Sequence, residues 1–214
     1  MADIEARVGA MLGLQDEVNV CVHPQWRTQG YPWYRAIWVE CAELLDHHGW
    51  KWWKHQTPDR EQVQLELVDI WHFGLSALLA AEVPVARIAL ALAAPAAEPA
   101  GEDPEAFRVA LEAFAGNTLV RRDFDLPGFA ALLRAARLDF DTLYRGYVGK
   151  NVLNRFRQDR GYQQGSYRKL WDGREDNEWL VMLSADLDPE SANFAADLYA
   201  ALDARYRVSG QSRG

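Results

Sequence analysis

Residues 34–49 read YRAIWVECAELLDHHG, and residues 59–81 read DREQVQLELVDIWHFGLSALLAA. In the first stretch Ala36, Ile37, Cys41, Leu44 and Leu45 recur at the three- and four-residue spacing of one helical face. In the second, Leu65, Val68, Ile70, Phe73 and Leu75 supply the apolar positions. Gly49 stands where a left-handed residue closes a helix. The spacing therefore predicts helices over 34–48 and 59–81. Each carries two acids three residues apart, Glu40 with Glu43 and Glu66 with Asp69, and such pairs share a helical face.

If the two helices face each other antiparallel, four carboxylates converge. Such a nest repels itself unless cations fill it, and hard oxygen ligands select Mg²⁺ or Mn²⁺ over zinc. The spacing alone also fits two solvated helix faces. Against that, the acids stand beside Leu44, Leu45, Leu65, Leu67, Val68 and Ile70, close to apolar faces, and the first helix has few lysines to balance them. Asp46 is either a fifth ligand or a surface acid. His47, His48 and His72 lack the spacing of a transition-metal site and read as satisfied or exposed.

Further helices are expected over 3–20, 83–94, 105–115 and 126–143. A segment over 139–154 continues the last of these, with interruptions near Gly146 and Gly149, and an amphipathic tail covers 191–206. A loop with Pro24, Gly30 and Pro32 follows the first helix, and 95–104 reads as an exposed loop. Strand-like alternation is scarce, so the fold class is all-α. A hydrophobic share of 49% allows a sizeable core, and a net charge of -8 tells against general nucleic-acid binding. The most apolar stretch, 73–97, is broken by Glu82, Pro84 and Arg87 and does not read as a membrane span. Cys21 and Cys41 form no paired motif, which fits a reducing compartment. Residues 1–14 lack the pattern of a signal peptide, so the expected location is the cytoplasm.

Residues 145–174 carry eight Lys or Arg and two Asp, a net +6 in an acidic chain. Glycines there permit close backbone approach, and Lys and Arg supply charge-assisted donors for phosphate oxygens. Asn154 and Arg157 would share a helical face. Either this is a polyphosphate clamp or a basic surface helix that pairs with the acidic remainder. An acidic metal nest with a basic clamp is the division of labour that phosphoryl transfer needs. Many of the nine tryptophans fall between Trp26 and Trp53. Most read as core anchors, whereas Trp52 and Trp53, flanked by Lys51 and Lys54, suit stacking on a base.

These motifs, in this order, resemble a family. Glu40-x-x-Glu43, the run Trp50 to Lys54 and the run Glu66 to Phe73 look like the all-α nucleoside triphosphate pyrophosphatases. Asn151 to Tyr162, Gly165 to Asn177 and Leu14-Gln15-x-x-x-Asn19 look like their dimeric dUTPase branch. Val20 stands where the family pattern carries an acid, and 84–128 matches none of its motifs.

The resemblance implies hydrolysis of dUTP, and of dUDP, to dUMP, with Mg²⁺ (or Mn²⁺) held by Glu40, Glu43, Glu66 and Asp69. Glu43 is the acid taken to activate the attacking water. Gln15, Asn19 and Trp53 match positions that hold the uracil or its sugar, and Lys54 is counted with them. Lys150, Asn154, Arg157, Tyr162 and Lys169 match a closing phosphate- and sugar-binding segment. The implied architecture is one domain over 1–214 and a homodimer. Its rigid helical-bundle core covers about 1–82 and 130–206, and a second, mobile or variable helical lobe covers about 83–129. Neither a nucleic acid nor a membrane is an expected partner. Three other readings stay open: a house-cleaning pyrophosphatase acting on another pyrimidine or modified nucleotide, a nucleotide-binding regulator without catalysis, and a helical interaction protein with an acidic face.

Overall fold

A computed structural model describes residues 2–93, 103–188, 191 and 193–211. Helices α1 (Ala2–Val22), α2 (Trp33–His48), α3 (Arg60–Ala80), α4 (Val85–Leu92), α5 (Pro104–Arg121), α6 (Leu126–Ala135) and α7 (Phe140–Asp159) come first. A hairpin of β1 (Leu170–Trp171) and β2 (Arg174–Glu175) follows, then α8 (Asp176–Ala185) and α9 (Phe194–Gln211). The fold is all-α, as the sequence predicts, with 73% of residues helical.

Local chemistry sets the helix ends. Asp59 caps α3 by accepting the Gln62 backbone N–H at 3.2 Å. Asp103 caps α5, with Pro104 in its first turn. Gly49, at φ 90°, terminates α2 as expected. Glu175 and Glu178 form a capping box on α8.

The chain forms two compact units, Met1–Tyr147 and Val148–Gly214, divided within α7. In the first, α3 packs against both α2 and α1. Leu67, Ile70, Trp71 and Leu75 of α3 are fully buried, and Trp71 stacks on Phe129 at 5.3 Å. A helix buried on most sides is apolar on most sides. Among the described residues α3 alone is long and apolar enough to cross a membrane, yet 67% of its most apolar window is buried inside the protein. Helices α4 to α6, which cover most of the described part of 83–129, pack here against α1, α2 and each other. In the second unit Trp171, Phe156, Leu153, Leu198 and Leu202 form the core.

Several boundaries differ from expectation. The helix expected over 105–115 runs on to Arg121. The one expected over 126–143 stops at Ala135, because Arg137 takes a left-handed φ of 57° and Asp139 restarts the chain as α7 by accepting the Thr142 N–H at 2.7 Å. α7 then runs unbroken through Gly146 and Gly149. Gly146 serves a close approach of helices: a Cβ there would sit 2.9 Å from Val68 Cγ2. The hairpin was not expected. Asp172 and Gly173, at φ 49° and 82°, form the two-residue turn that Asp-Gly favours. The expected loop over 95–104 falls, through residue 102, outside the described residues.

Candidate active site

α2 and α3 lie side by side and bring their acids together. Carboxylate oxygens of Glu40, Glu43 and Glu66 lie within 4.8 Å of one another. Glu66 is buried, Glu40 half-buried and Glu43 exposed, so the nest opens to solvent on the Glu43 side. Asp69 falls outside that triplet, but its charge bears on Glu40. Burial first, then the Asp69 charge and a hydrogen bond with Glu66, push the Glu40 carboxyl up to about 8. His47 Nε2 stands 3.6 Å from Glu66 Oε1.

Like-charged carboxylates this close cannot all ionise without a cation between them. An all-oxygen donor set of this kind fits a hard divalent ion. Asp46 is not part of it: Lys51 Nζ and Trp50 Nε1 donate to its Oδ1 at 2.7 and 3.1 Å and lower its pKa. Burial and the neighbouring Glu40 push the Cys41 thiol up to about 12, so it stays protonated and inert.

Beside α3 lies a second polar feature, buried but for a small exposed fraction. Gln15 and Asn19 of α1 are each 5% exposed. Gln15 Nε2 donates to Asn19 Oδ1 at 3.2 Å and to Ser76 Oγ at 3.1 Å. Asn19 Nδ2 donates to Ser76 Oγ at 3.0 Å. Gln15 Oε1 lies 2.8 Å from His72 Nδ1 and 3.1 Å from the Tyr147 hydroxyl. The His72 ring stacks on Tyr147 at 4.3 Å. Sequence reasoning selected Gln15 and Asn19 but missed Ser76, His72 and Tyr147 as their partners. A usable signal existed: His72 and Ser76 are four apart on the helix that carries Glu66 and Asp69.

Among the expected base-contact residues, Trp53 is 56% exposed and packs edge-on against Trp50 and Trp52 at 5.2 and 5.1 Å. Lys54 is exposed. Trp26, Trp71 and Trp171 are core anchors, whereas Trp52 and Trp53 are not. A cavity of about 280 Å³ in the first unit, with His48, Val63, Leu67 and Phe107 in its wall, is lined by none of the candidate site residues.

In the second unit four cations of the basic segment pair with acids. Arg157 makes a bidentate pair with the fully buried Asp176 at 2.8 Å on both arms, and donates to Asn154 Oδ1 at 3.2 Å. Tyr167 also donates to Asp176, at 2.8 Å; burial, then the Asp176 charge, raises its pKa. Lys150, 3% exposed, donates to Asn177 Oδ1 at 3.0 Å. Lys169 pairs with Glu175 at 3.1 Å, and Arg160 with Asp203. Tyr162 is half exposed, its ring 6.0 Å from that of Tyr167. Arg174 also pairs with Glu178, and Asn154, Tyr167 and Asp176 stand together around Arg157.

The model of a protein family described as dUTPase matches residues 7–162. The matched span takes in every candidate residue from Gln15 to Tyr162 and leaves out Lys169. Comparison with curated proteins finds no match. The family match covers well over half of the chain and the whole of the acid-bearing helix pair, and on that ground this chain belongs to the dUTPase family, enzymes that hydrolyse dUTP.

Proposed function

We propose that the chain hydrolyses dUTP, and dUDP, to dUMP with release of pyrophosphate or phosphate, using Mg²⁺ or Mn²⁺ held by Glu40, Glu43, Glu66 and Asp69. The observation that carries this reading is the acid nest, in which Glu40, Glu43 and Glu66 lie within 4.8 Å of one another and burial, then the neighbouring acids, push the Glu40 carboxyl up to about 8. When bound, the ion would neutralise the phosphates and lower the pKa of a water. Glu43, the exposed acid at the mouth of the nest, is the candidate to orient that water and take its proton.

Gln15 and Asn19 offer buried amide groups to the uracil edge, and Trp53 with Lys54 offers an exposed aromatic face and a cation. Lys150, Asn154, Arg157, Tyr162 and Lys169 are assigned to phosphates and sugar on the resemblance and on their chemistry. In that assignment Asp176 orients Arg157, and Arg157 orients Asn154. A homodimer belongs to the same proposal; the exposed Trp38 and Val39 on α2, at 53% and 51%, support an apolar contact face. The cytoplasm is the proposed location, where such an activity would limit uracil incorporation into DNA and supply dUMP.

The test is product release across dUTP, dUDP, dCTP and dTTP with and without Mg²⁺. Rapid, Mg²⁺-dependent cleavage of dUTP and dUDP alone is expected. Equal cleavage of dCTP or dTTP would favour the alternative, a house-cleaning pyrophosphatase of broader pyrimidine range. Light scattering gives the oligomeric state.

A further inference from the structure

We propose that Ser76 is a positioning residue that sets the hydrogen-bond polarity of Asn19 and Gln15, and that uracil is told from cytosine through this setting. The inference rests on the reading above that those two amides face the base. Ser76 is fully buried on α3. Its Oγ lies 3.1 Å from Gln15 Nε2, 3.0 Å from Asn19 Nδ2 and 3.1 Å from the His72 carbonyl oxygen; Asn19 Oδ1 is farther, at 3.4 Å.

A serine hydroxyl has one hydrogen and two lone pairs. Its two candidate acceptors are the His72 carbonyl oxygen at 3.1 Å and Asn19 Oδ1 at 3.4 Å, and the nearer one takes the hydrogen. Both lone pairs then face amide nitrogens. This turns Gln15 Oε1 toward His72 Nδ1, 2.8 Å away, and toward the Tyr147 hydroxyl, 3.1 Å away, which also lies 3.0 Å from the Met11 carbonyl oxygen. It also leaves Asn19 Oδ1 to accept from Gln15 Nε2 at 3.2 Å.

The Asn19 amide has used one N–H and one lone pair, so one donor and one acceptor remain. An amide presenting one donor and one acceptor pairs with the O4 and N3–H of uracil in one orientation. Turned over, it pairs equally well with the N4–H and N3 of cytosine. Turning Asn19 over in this protein would break its bond to Ser76 and oppose its nitrogen to Gln15 Nε2. Ser76 therefore holds Asn19 in a single orientation without touching the base. A buried amide that cannot turn leaves the wrong base with unpaired polar groups, which is the costly outcome in a polar site.

The experiment compares kcat/KM for dUTP, dCTP and dTTP in the full chain with Mg²⁺, for wild type, Ser76→Ala and Asn19→Ala. Thymine has the same edge polarity as uracil and serves as the control. Ser76→Ala is expected to lower the dUTP-to-dCTP ratio by about tenfold or more, a change on the scale of one hydrogen-bonded discrimination. It is expected to leave the dUTP-to-dTTP ratio within about twofold. A dUTP-to-dCTP ratio that does not move, or two ratios that fall together, overturns the role of Ser76. Asn19→Ala tests the underlying reading separately. If it leaves kcat/KM for dUTP unchanged, Asn19 does not face the base, whatever Ser76 does. Should Ser76→Ala fail to fold, Ser76→Cys, which exchanges a strong acceptor for a weak one, carries the same expectation.

Discussion

Arg157 meets Asp176 edge to edge, Nε on one carboxylate oxygen and Nη2 on the other, each at 2.8 Å. The pair joins α7 to the first turn of α8 within the second unit, and Asp176 has no solvent exposure. Removing one partner of a buried pair strands the other charge, at a cost of about 3–5 kcal/mol. Arg157→Ala and Asp176→Ala are therefore both expected to lower the stability of the chain by that order in chemical denaturation. Arg157→Lys keeps the charge but loses the fork, and should recover only part of it. If Arg157 also serves phosphates, its loss weakens binding of a non-hydrolysable triphosphate more than binding of deoxyuridine. Equal losses would leave Arg157 a structural residue alone.

Metal binding and protonation should be linked through Glu40. Its folded pKa, about 8, lies above the ordinary carboxyl value of 4.5. The contribution of a group raised in this way is fully present below pH 4.5 and is lost as pH rises through about 8. Metal-free protein should accordingly lose stability between about pH 4.5 and 8 and level off above that, and Mg²⁺ should restore it most at the alkaline end. Titrating Mg²⁺ at pH 7 in buffers of different ionisation enthalpy should register close to one released proton. No buffer dependence would mean that Glu40 is already ionised without metal.

The same electrostatics separates activity from stability at the other acids. Glu43→Gln is expected to lower kcat by about 10²–10⁴-fold if Glu43 is the general base. Asp69→Asn should abolish turnover through loss of metal. Both remove a like charge that bears on Glu40, so the metal-free variants should melt at or above the wild-type temperature. Wild-type rates in both variants would sink the metal-site reading.

Gly146 gives a packing test. A Cβ at this position would lie 2.9 Å from Val68 Cγ2. Helix propensity favours Ala over Gly by about 1 kcal/mol, but overpacking costs about 1–3 kcal/mol, so Gly146→Ala should be destabilising. Adding Val68→Ala makes room for the methyl, and the double variant should fall short of the summed losses. Gly13, whose Cβ would meet nothing within 4 Å, should accept Ala with no loss or a small gain.

Gly146 also shows where sequence reading reaches its limit. Periodicity located α2 and α3 to within a residue, and the three-residue spacing of their acids placed Glu40, Glu43 and Glu66 in one nest, because helix geometry alone decides which face such pairs share. A glycine in a helix can mark a break or a close approach, and only the neighbour, here Val68, tells which. The partner of Arg157 was hidden for a similar reason. Asp176 is nineteen residues away, and the turn at Asp172 and Gly173 that leads into its helix is a local signal that the helical reading passed over.

Trp53 carries the last prediction. It is 56% exposed and makes edge contacts to Trp50 and Trp52, so Trp53→Ala should cost little stability. A large aromatic left half in water suits a base, and base–aromatic stacking is worth about 1–3 kcal/mol. The variant should raise KM for dUTP by about fivefold to a hundredfold and leave the melting temperature nearly unchanged. Trp71, fully buried against Phe129, should behave in the opposite way: Trp71→Ala removes about 3–5 kcal/mol of stability. Substrate should also quench tryptophan fluorescence in the wild type and quench it less in Trp53→Ala. A KM that does not move, together with unaltered quenching, would return Trp53 to the surface aromatics without a ligand.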